Sequence, residues 1–279
     1  MYKRILAAVN EHLNSEMAAR YALHLAKACE AKLSLSFIAE RQLSRSDIEC
    51  AEAALKRLFL EAEEMGLSVE SSTETGDLVP QIERTVRREG IDLVFASTRR
   101  EDVEKRFYAG TKARSLSLHL PCSVALVRVV HAGKFHPNRI VVPLKARIDH
   151  VKERAFFSAK MAEGFHSRLL LFHTPKPATR LFHGEVHLTP LEWEKRLPKG
   201  LSDFMTYISD YRIPLEGRMA PGAVARSITI EAASKRHDLI IMGASQRSLL
   251  RSLLRGNPVE DVLRKTPCDL IILKPVLED

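Results

Sequence analysis

A chain of 279 residues, 45% hydrophobic and 28% charged, has room for two ordinary domains and the balance of a soluble globular protein. Charges interrupt every apolar run, so none reaches the ~20 residues of a membrane span, and "MYKRILAAVNEHLNSE" at the N-terminus turns polar without a signal-peptide cleavage pattern. The net charge is +8, of which residues 1–134 contribute +1 and the remainder +7. A basic second half attracts anions, but no aromatic stacking platform or nucleic-acid motif accompanies it, so it reads as a solvated basic surface.

In chain order, short aliphatic runs alternate with longer amphipathic segments. The predicted strands of the first half are "RILAAV", "KLSLSFI", "LSVESST", "DLVFAS" and "SVALVRV". Helical spacing lies between them at Ser15 to Cys29, Ser46 to Met65, Leu78 to Arg88 and Thr111 to Leu120. Serines near the first two starts are N-cap candidates, and Gly66 and Gly90 are natural stops. In the second half, strands are predicted at 139–144, 168–173, 215–220, 238–243 and 269–274. Near-continuous apolar strands separated by helices argue for a parallel sheet covered on both faces.

The two halves repeat one another. "KRILAAVN" (3–10) matches "NRIVVPLK" (138–145) at an offset of 135. Further on the offset is 146: "IDLVFAS" (91–97) matches "HDLIIMG" (237–243), Gly110 matches Gly256, and "PCSVALVR" (121–128) matches "PCDLIILK" (267–274). The change of offset predicts an insertion in the second copy around 174–197, whose Pro, His and Gly read as an irregular loop. Two domains are expected, at 1–132 and 137–279, joined by a linker around "VHAGKFHP" (130–137).

Open α/β sheets bind ligands beyond the carboxyl ends of their strands, where the strand order reverses. "VNEH" and "ASTRRE" occupy those ends in the first half, and "LKAR" and "MGASQR" in the second. Gly110 and Gly256 precede the last helix of each half, where free N–H groups can meet a phosphate. Asn257 fits an N-cap there and Pro258 a first helical turn.

The doubled domain, the "PC" before each last strand, and the spacing of strand, glycine loop and helix resemble the universal stress protein family in its tandem form. The likeness covers the whole chain apart from the insertion. It implies an α/β fold of two tandem five-stranded, parallel-sheet, doubly wound domains, of the adenine nucleotide alpha hydrolase-like or Rossmann-like kind. It also implies that nucleotide-binding members carry G-x2-G-x9-G-[ST] after the fourth strand and an aspartate closing the first.

The sequence departs from that pattern in both halves. In the second, Gly243 and Gly256 are kept, Gln246 and Asn257 replace the middle glycine and the final Ser/Thr, and Lys145 stands at the aspartate position. In the first, Gly110 and Thr111 match, but Ser97 and Arg100 replace the first two glycines and Asn10 the aspartate. Bulkier residues obstruct a loop that wraps phosphates, so both sites read as degenerate. The candidate binding residues are Gly243, Ala244, Gln246, Arg247, Gly256, Asn257 and Lys145 in the second half, and Asn10, Gly110 and Thr111 in the first. The second half is the better candidate for residual ATP or AMP binding, because two glycines and nearby cations survive there. "RSLLRSLLR" has an alternative account as an amphipathic helix, with Arg247, Arg251 and Arg255 on one face and leucines largely on the other.

Other chemistries fail on their signatures. "GASQR" lacks the last glycine of a G-x-S-x-G elbow, which leaves Ser245 a poor nucleophile. "HGEVH" (183–187) is not HExxH and reads as exposed loop rather than a metal site, and no phosphate-loop or dinucleotide fingerprint occurs. Cys29, Cys50, Cys122 and Cys268 lack CxxC or metal spacing, consistent with reduced thiols in a cytoplasm. Cys122 and Cys268, entering apolar strands, act as small hydrophobes, and Asp92 and Asp238 end turns rather than catalyse. The expectation is a non-enzymatic cytoplasmic stress-response regulator or adaptor, with a nucleotide-hydrolysing switch and an anion or nucleic-acid binder as alternatives. The last strands, "SVALVRV" and "LIILKPV", are expected to pair within the chain as a pseudo-twofold that then forms a homodimer. An unidentified protein is the expected partner; membrane is not, and nucleic acid is disfavoured.

Overall fold

The computed structural model describes residues 1–98, 111–131, 133, 135–175, 197–220, 222–244 and 258–276. Ten strands are described: β1 (Arg4–Val9), β2 (Lys32–Ala39), β3 (Val69–Thr75), β4 (Leu93–Ser97), β5 (Ser123–Arg128), β6 (Arg139–Leu144), β7 (Arg168–His173), β8 (Leu215–Met219), β9 (Leu239–Gly243) and β10 (Asp269–Lys274). They form one sheet in the order β3-β2-β1-β4-β5-β10-β9-β6-β7-β8. Each half is parallel throughout, and the halves join where β5 and β10 run antiparallel, Leu126 opposite Ile272. The expected intrachain partners therefore pair, and the α/β doubly wound architecture is present in both halves. Among the described residues no helix is long and apolar enough to cross a membrane.

Eight helices cover the sheet among the described residues. Helices α1 (Leu13–Cys29), α2 (Arg45–Glu64), α5 (Val151–Gly164) and α6 (Lys199–Ser209) pack on one face over Phe37, Phe95 and Leu171. Helices α3 (Leu78–Glu89), α4 (Lys112–His119), α7 (Val224–Ser234) and α8 (Pro258–Lys265) cover the other over Val94, Leu126 and Ile272. In the eight inner strands most residues are buried whichever way they point, which is why the sequence shows apolar runs there instead of alternation, while the edge strands β3 and β8 are largely exposed. Asp92 and Asp238 each accept two backbone N–H groups, from Lys3 and Arg4 and from Asn138 and Arg139, and so pin the starts of β1 and β6.

Of the two expected serine caps, that of α2 is present and that of α1 is not. Ser15 lies inside α1 and bonds its hydroxyl to the carbonyls of Asn10 and His12, while His12 takes the N-cap position with no side-chain bond. For α2 the cap is Ser44, two residues before the expected start, in a reciprocal capping box with Asp47. Gly90 ends α3 in the left-handed conformation, as expected, at φ 62. The extra residues of the second half are also divided. Arg4 lies opposite Lys32, 28 positions on, but Arg139 lies opposite Arg168, 29 positions on, so one extra residue precedes β7. Leu33 and Val69 are 36 positions apart and their counterparts Leu169 and Leu215 are 46 apart, so ten follow it.

The seam between the halves is both aromatic and polar. Tyr2 meets Phe156 and Phe157 of α5 with ring centroids 5.5 and 6.4 Å apart. Tyr21 of α1 packs on Phe165 at 5.6 Å. Glu153, fully buried on α5, accepts hydrogen bonds from the Tyr2 hydroxyl at 2.7 Å, the Ser123 hydroxyl at 2.5 Å and the Val276 N–H at 3.1 Å. Asp269 does the reciprocal work, accepting from the Tyr21 hydroxyl and from the N–H groups of Val130 and His131. Lys274, buried on β10, donates to the Leu120 carbonyl across the seam.

A second polar cluster ties α1 to α2. Glu16 is buried and accepts from Arg57 and Arg20 at 2.8 to 3.1 Å. The Arg57 hydrogen bonds, joined by the charge of Arg20, hold its carboxyl below the ordinary 4.5 despite burial. A depressed folded-state value contributes stability above the unfolded value and loses it as pH falls through the folded one. Glu16→Gln is therefore expected to cost most at neutral pH, with the gap to the wild type closing as pH drops below 4.5. Urea midpoints of both proteins across that range measure it, and a gap independent of pH would refute the assignment.

Candidate functional site

In each half the strand order reverses between the first and fourth strands, β1 and β4 or β6 and β9. The crevice beyond their carboxyl ends is the place such sheets offer a ligand.

In the first half the predicted residues are occupied by their own neighbours. Asn10 is half-buried; its carboxamide oxygen accepts from the His12 N–H at 3.0 Å and its own N–H donates to Ser15. The Thr111 hydroxyl caps α4 by accepting from the Arg114 N–H. Beside it, Lys112 is bonded to the carboxylate of Glu40, which cancels the charge an anion would seek. Gly110 lies outside the described residues.

In the second half a cavity of about 650 Å3 opens at the reversal. Lys145 follows β6 at its rim, with Arg147 two residues further on, both exposed. Arg154 enters from the first turn of α5, and α7 and α8 reach the cavity through their first residues, Val224 and Pro258. Helix N-termini carry partial positive charge, so they add to the three cations. No Asp or Glu is among the described lining residues. The floor is carbon: Val142, Phe172, Phe204, Ile228 and Met242.

Gly243, at the end of β9, lines the cavity, and its role is spatial. Its φ is outside the left-handed range, so its conformation does not demand glycine. A Cβ there would lie 2.4 Å from Cζ of Arg154, so the missing side chain is what lets the guanidinium rest against the strand end. Ala244 is buried and donates its N–H to the Leu273 carbonyl at 2.8 Å, part of the sheet rather than of the cavity wall. Gln246, Arg247, Gly256 and Asn257 lie outside the described residues, as do Ser245, Arg251, Arg255 and the "HGEVH" segment. Pro258 begins α8, as expected.

Arg154 and Arg147 were not apparent as site residues from sequence. Arg154 belongs to an unremarkable helical pattern, and the available signal was that Ala18 and Ala19 occupy the corresponding turn of α1. The Thr174 hydroxyl also lines the cavity, with its oxygen shut from solvent and no hydrogen-bond partner among the described residues. Cys122 and Cys268 are buried, and burial pushes both thiols up to about 12, so they are inert apolar fillers.

The sequence profile of the universal stress protein family matches residues 1–128 and again 138–274. The chain belongs to that family. It is a tandem universal stress protein, with the profile met once in each half. No curated protein sequence matches it. Among solved structures it is similar to a universal stress protein from Archaeoglobus fulgidus, at 15% identity over 98% of this chain and 96% of that one, with a TM-score of 0.65. A protein of unknown function from Pseudomonas aeruginosa is 20% identical over 99% and 93%, also at 0.65. The cytoplasmic domain of a prokaryotic cation chloride cotransporter is 14% identical over 99% and 96%, at 0.60. Identities this low establish a shared fold, and what the universal stress protein holds is decided by its own cavity.

Proposed function

We propose that this universal stress protein is a non-enzymatic cytoplasmic regulator or adaptor, with two domains at 1–132 and 137–279, whose second domain alone senses a small anionic ligand. One observation carries this: Lys145, Arg147 and Arg154, and no carboxylate, are among the described residues lining the second cavity, and Lys145 and Arg147 stand exposed at its rim. A cavity of this volume suits a ligand the size of a nucleotide or an organic acid. Of the nucleotides the family suggests, ATP and AMP are the first to test: Arg154, Lys145 and Arg147 are the residues here that would meet their phosphates. Occupancy would be read by a partner protein through the cavity rim, and no bond in the ligand need break.

Mass analysis of small molecules released on denaturing the freshly purified protein, with calorimetric titration of ATP, AMP and simple organic acids, tests the proposal. One anion per chain, bound more weakly as salt rises, is expected. Absence of any released anion together with no heat from any of these ligands would leave the protein a scaffold and defeat the proposal.

A further inference from the structure

The two ends of the sheet are guarded differently. The terminal strands are β3 and β8, and among the described residues no strand pairs with the outer side of either. An edge of that kind is a template for another strand unless charge or shape protects it. We propose that β8 is the surface on which a second copy of this chain docks, the two β8 strands running antiparallel about a twofold axis at Gly217.

Backbone geometry sets what the edge offers. Beside β7, the Ala220 N–H donates to the His173 carbonyl at 3.1 Å, and the Pro214 carbonyl accepts from the Leu169 N–H at 2.9 Å. Alternate residues of a strand turn their N–H and C=O groups the same way, so Glu216 and Arg218 also bond inward while Leu215, Gly217 and Met219 face out. None of those three is a proline, so each brings both a donor and an acceptor. A twofold at Gly217 sets Leu215 of one copy opposite Met219 of the other, Glu216 opposite Arg218 and glycine opposite glycine. "LEGRM" is thus self-complementary: carbon meets carbon, acid meets base, and no side chain crowds the axis. Glu216, Gly217 and Arg218 are all exposed. Arg218 gives Nη1 to Glu231 of α7 at 3.2 Å, so the pairing asks of it only a charge opposite in sign to that of Glu216. β3 is not self-complementary along its length, because a twofold at Ser72 sets Glu70 opposite Glu74.

The Arg218–Glu231 bond also places α7 over β8, so the outer face of this helix lies beside its own counterpart across the proposed axis. That face carries Ile230, 54% exposed, and Ala233, also exposed. At the offset of 146 the matching residues of α3 are Arg84 and Arg87, both exposed, on a helix tied to β3 by Arg88 and Glu74. Charge therefore screens the end of the first half, whereas the end of the second presents carbon next to a pairing edge.

Sedimentation of the full chain over a range of concentrations tests this. One short strand and one helix face make a small interface, so a monomer–dimer equilibrium with a Kd of about 1–100 µM is expected. Glu216→Arg brings like charges together twice across the axis, and Ile230→Arg restores at the helix contact the cation that α3 carries. Each should weaken the dimer at least about tenfold with an unchanged melting temperature, since both side chains are exposed. Ser71→Arg, a cation added to the exposed edge of β3, should leave the Kd unchanged. A chain that stays monomeric up to about 500 µM would overturn the proposal. So would a dimer indifferent to Glu216→Arg and Ile230→Arg, or one weakened as much by Ser71→Arg. Species that grow beyond the dimer with concentration would mean that β8 meets β3 head to tail in an open chain, and would overturn the twofold.

Discussion

Glu153→Ala is expected to lower the unfolding free energy by about 2–4 kcal/mol, since it strips the acceptor from two hydroxyls worth about 1–3 kcal/mol each when stranded and takes one of two acceptors from an N–H that keeps the Ser123 hydroxyl at 3.0 Å, partly offset by no longer burying a carboxylate. Those donors are the hydroxyls of Tyr2 and Ser123 and the N–H of Val276, all buried or half-buried. They come from three separate places: the start of β1, the start of β5 and the segment after β10. One side chain of the second half therefore holds together elements of both. Tyr2→Phe and Ser123→Ala, which each remove one donor and leave the acceptor its others, should cost about 1–2 kcal/mol. Urea unfolding of the three variants measures the ordering. A loss below about 1 kcal/mol for Glu153→Ala would mean that the carboxylate's burial cancels its bonds.

Phe157→Ala should cost a similar amount, about 3–5 kcal/mol, through a cavity at the seam. Phe157 is fully buried on α5, and its ring lies 6.4 Å from Tyr2 and 6.2 Å from Phe95 of the first half, nearly perpendicular to one and stacked on the other. Truncation thus removes packing between halves as well as within one. Phe157→Leu keeps most of the volume and should lose about 1.5 kcal/mol or less. Guanidinium unfolding followed by tryptophan fluorescence and by circular dichroism tests both magnitude and cooperativity. Coincident transitions with a small loss for Phe157→Ala would show that α5 settles into the vacancy.

These two positions lie where the sequence is hard to interpret. The apolar runs of β1, β2, β4, β5, β9 and β10 were legible because a strand covered on both faces must be carbon-rich at every position. The repeat was legible because the same solution is used twice, down to Asp92 and Asp238 pinning equivalent strand starts. Glu153 was not legible: a carboxylate on a helix normally faces water, and only a partner 151 positions away draws it inside.

The candidate site divides in the same way. Lys145 and Gly243 were visible from sequence because they stand at strand ends, where a doubly wound sheet opens. The reason for Gly243 was not visible, because it depends on a guanidinium arriving from another element, 89 positions earlier in the chain. Local periodicity determined the elements, the internal repeat the doubling, and the resemblance of its motifs pointed to the family of this universal stress protein. Tertiary structure alone decided which polar side chains are buried, that Asn10, Thr111 and Lys112 are bonded to their own neighbours, and which cations and carbon side chains line the described wall of the second cavity. Periodicity constrains a residue through its neighbours in sequence, whereas these outcomes depend on close contacts between residues far apart in the chain.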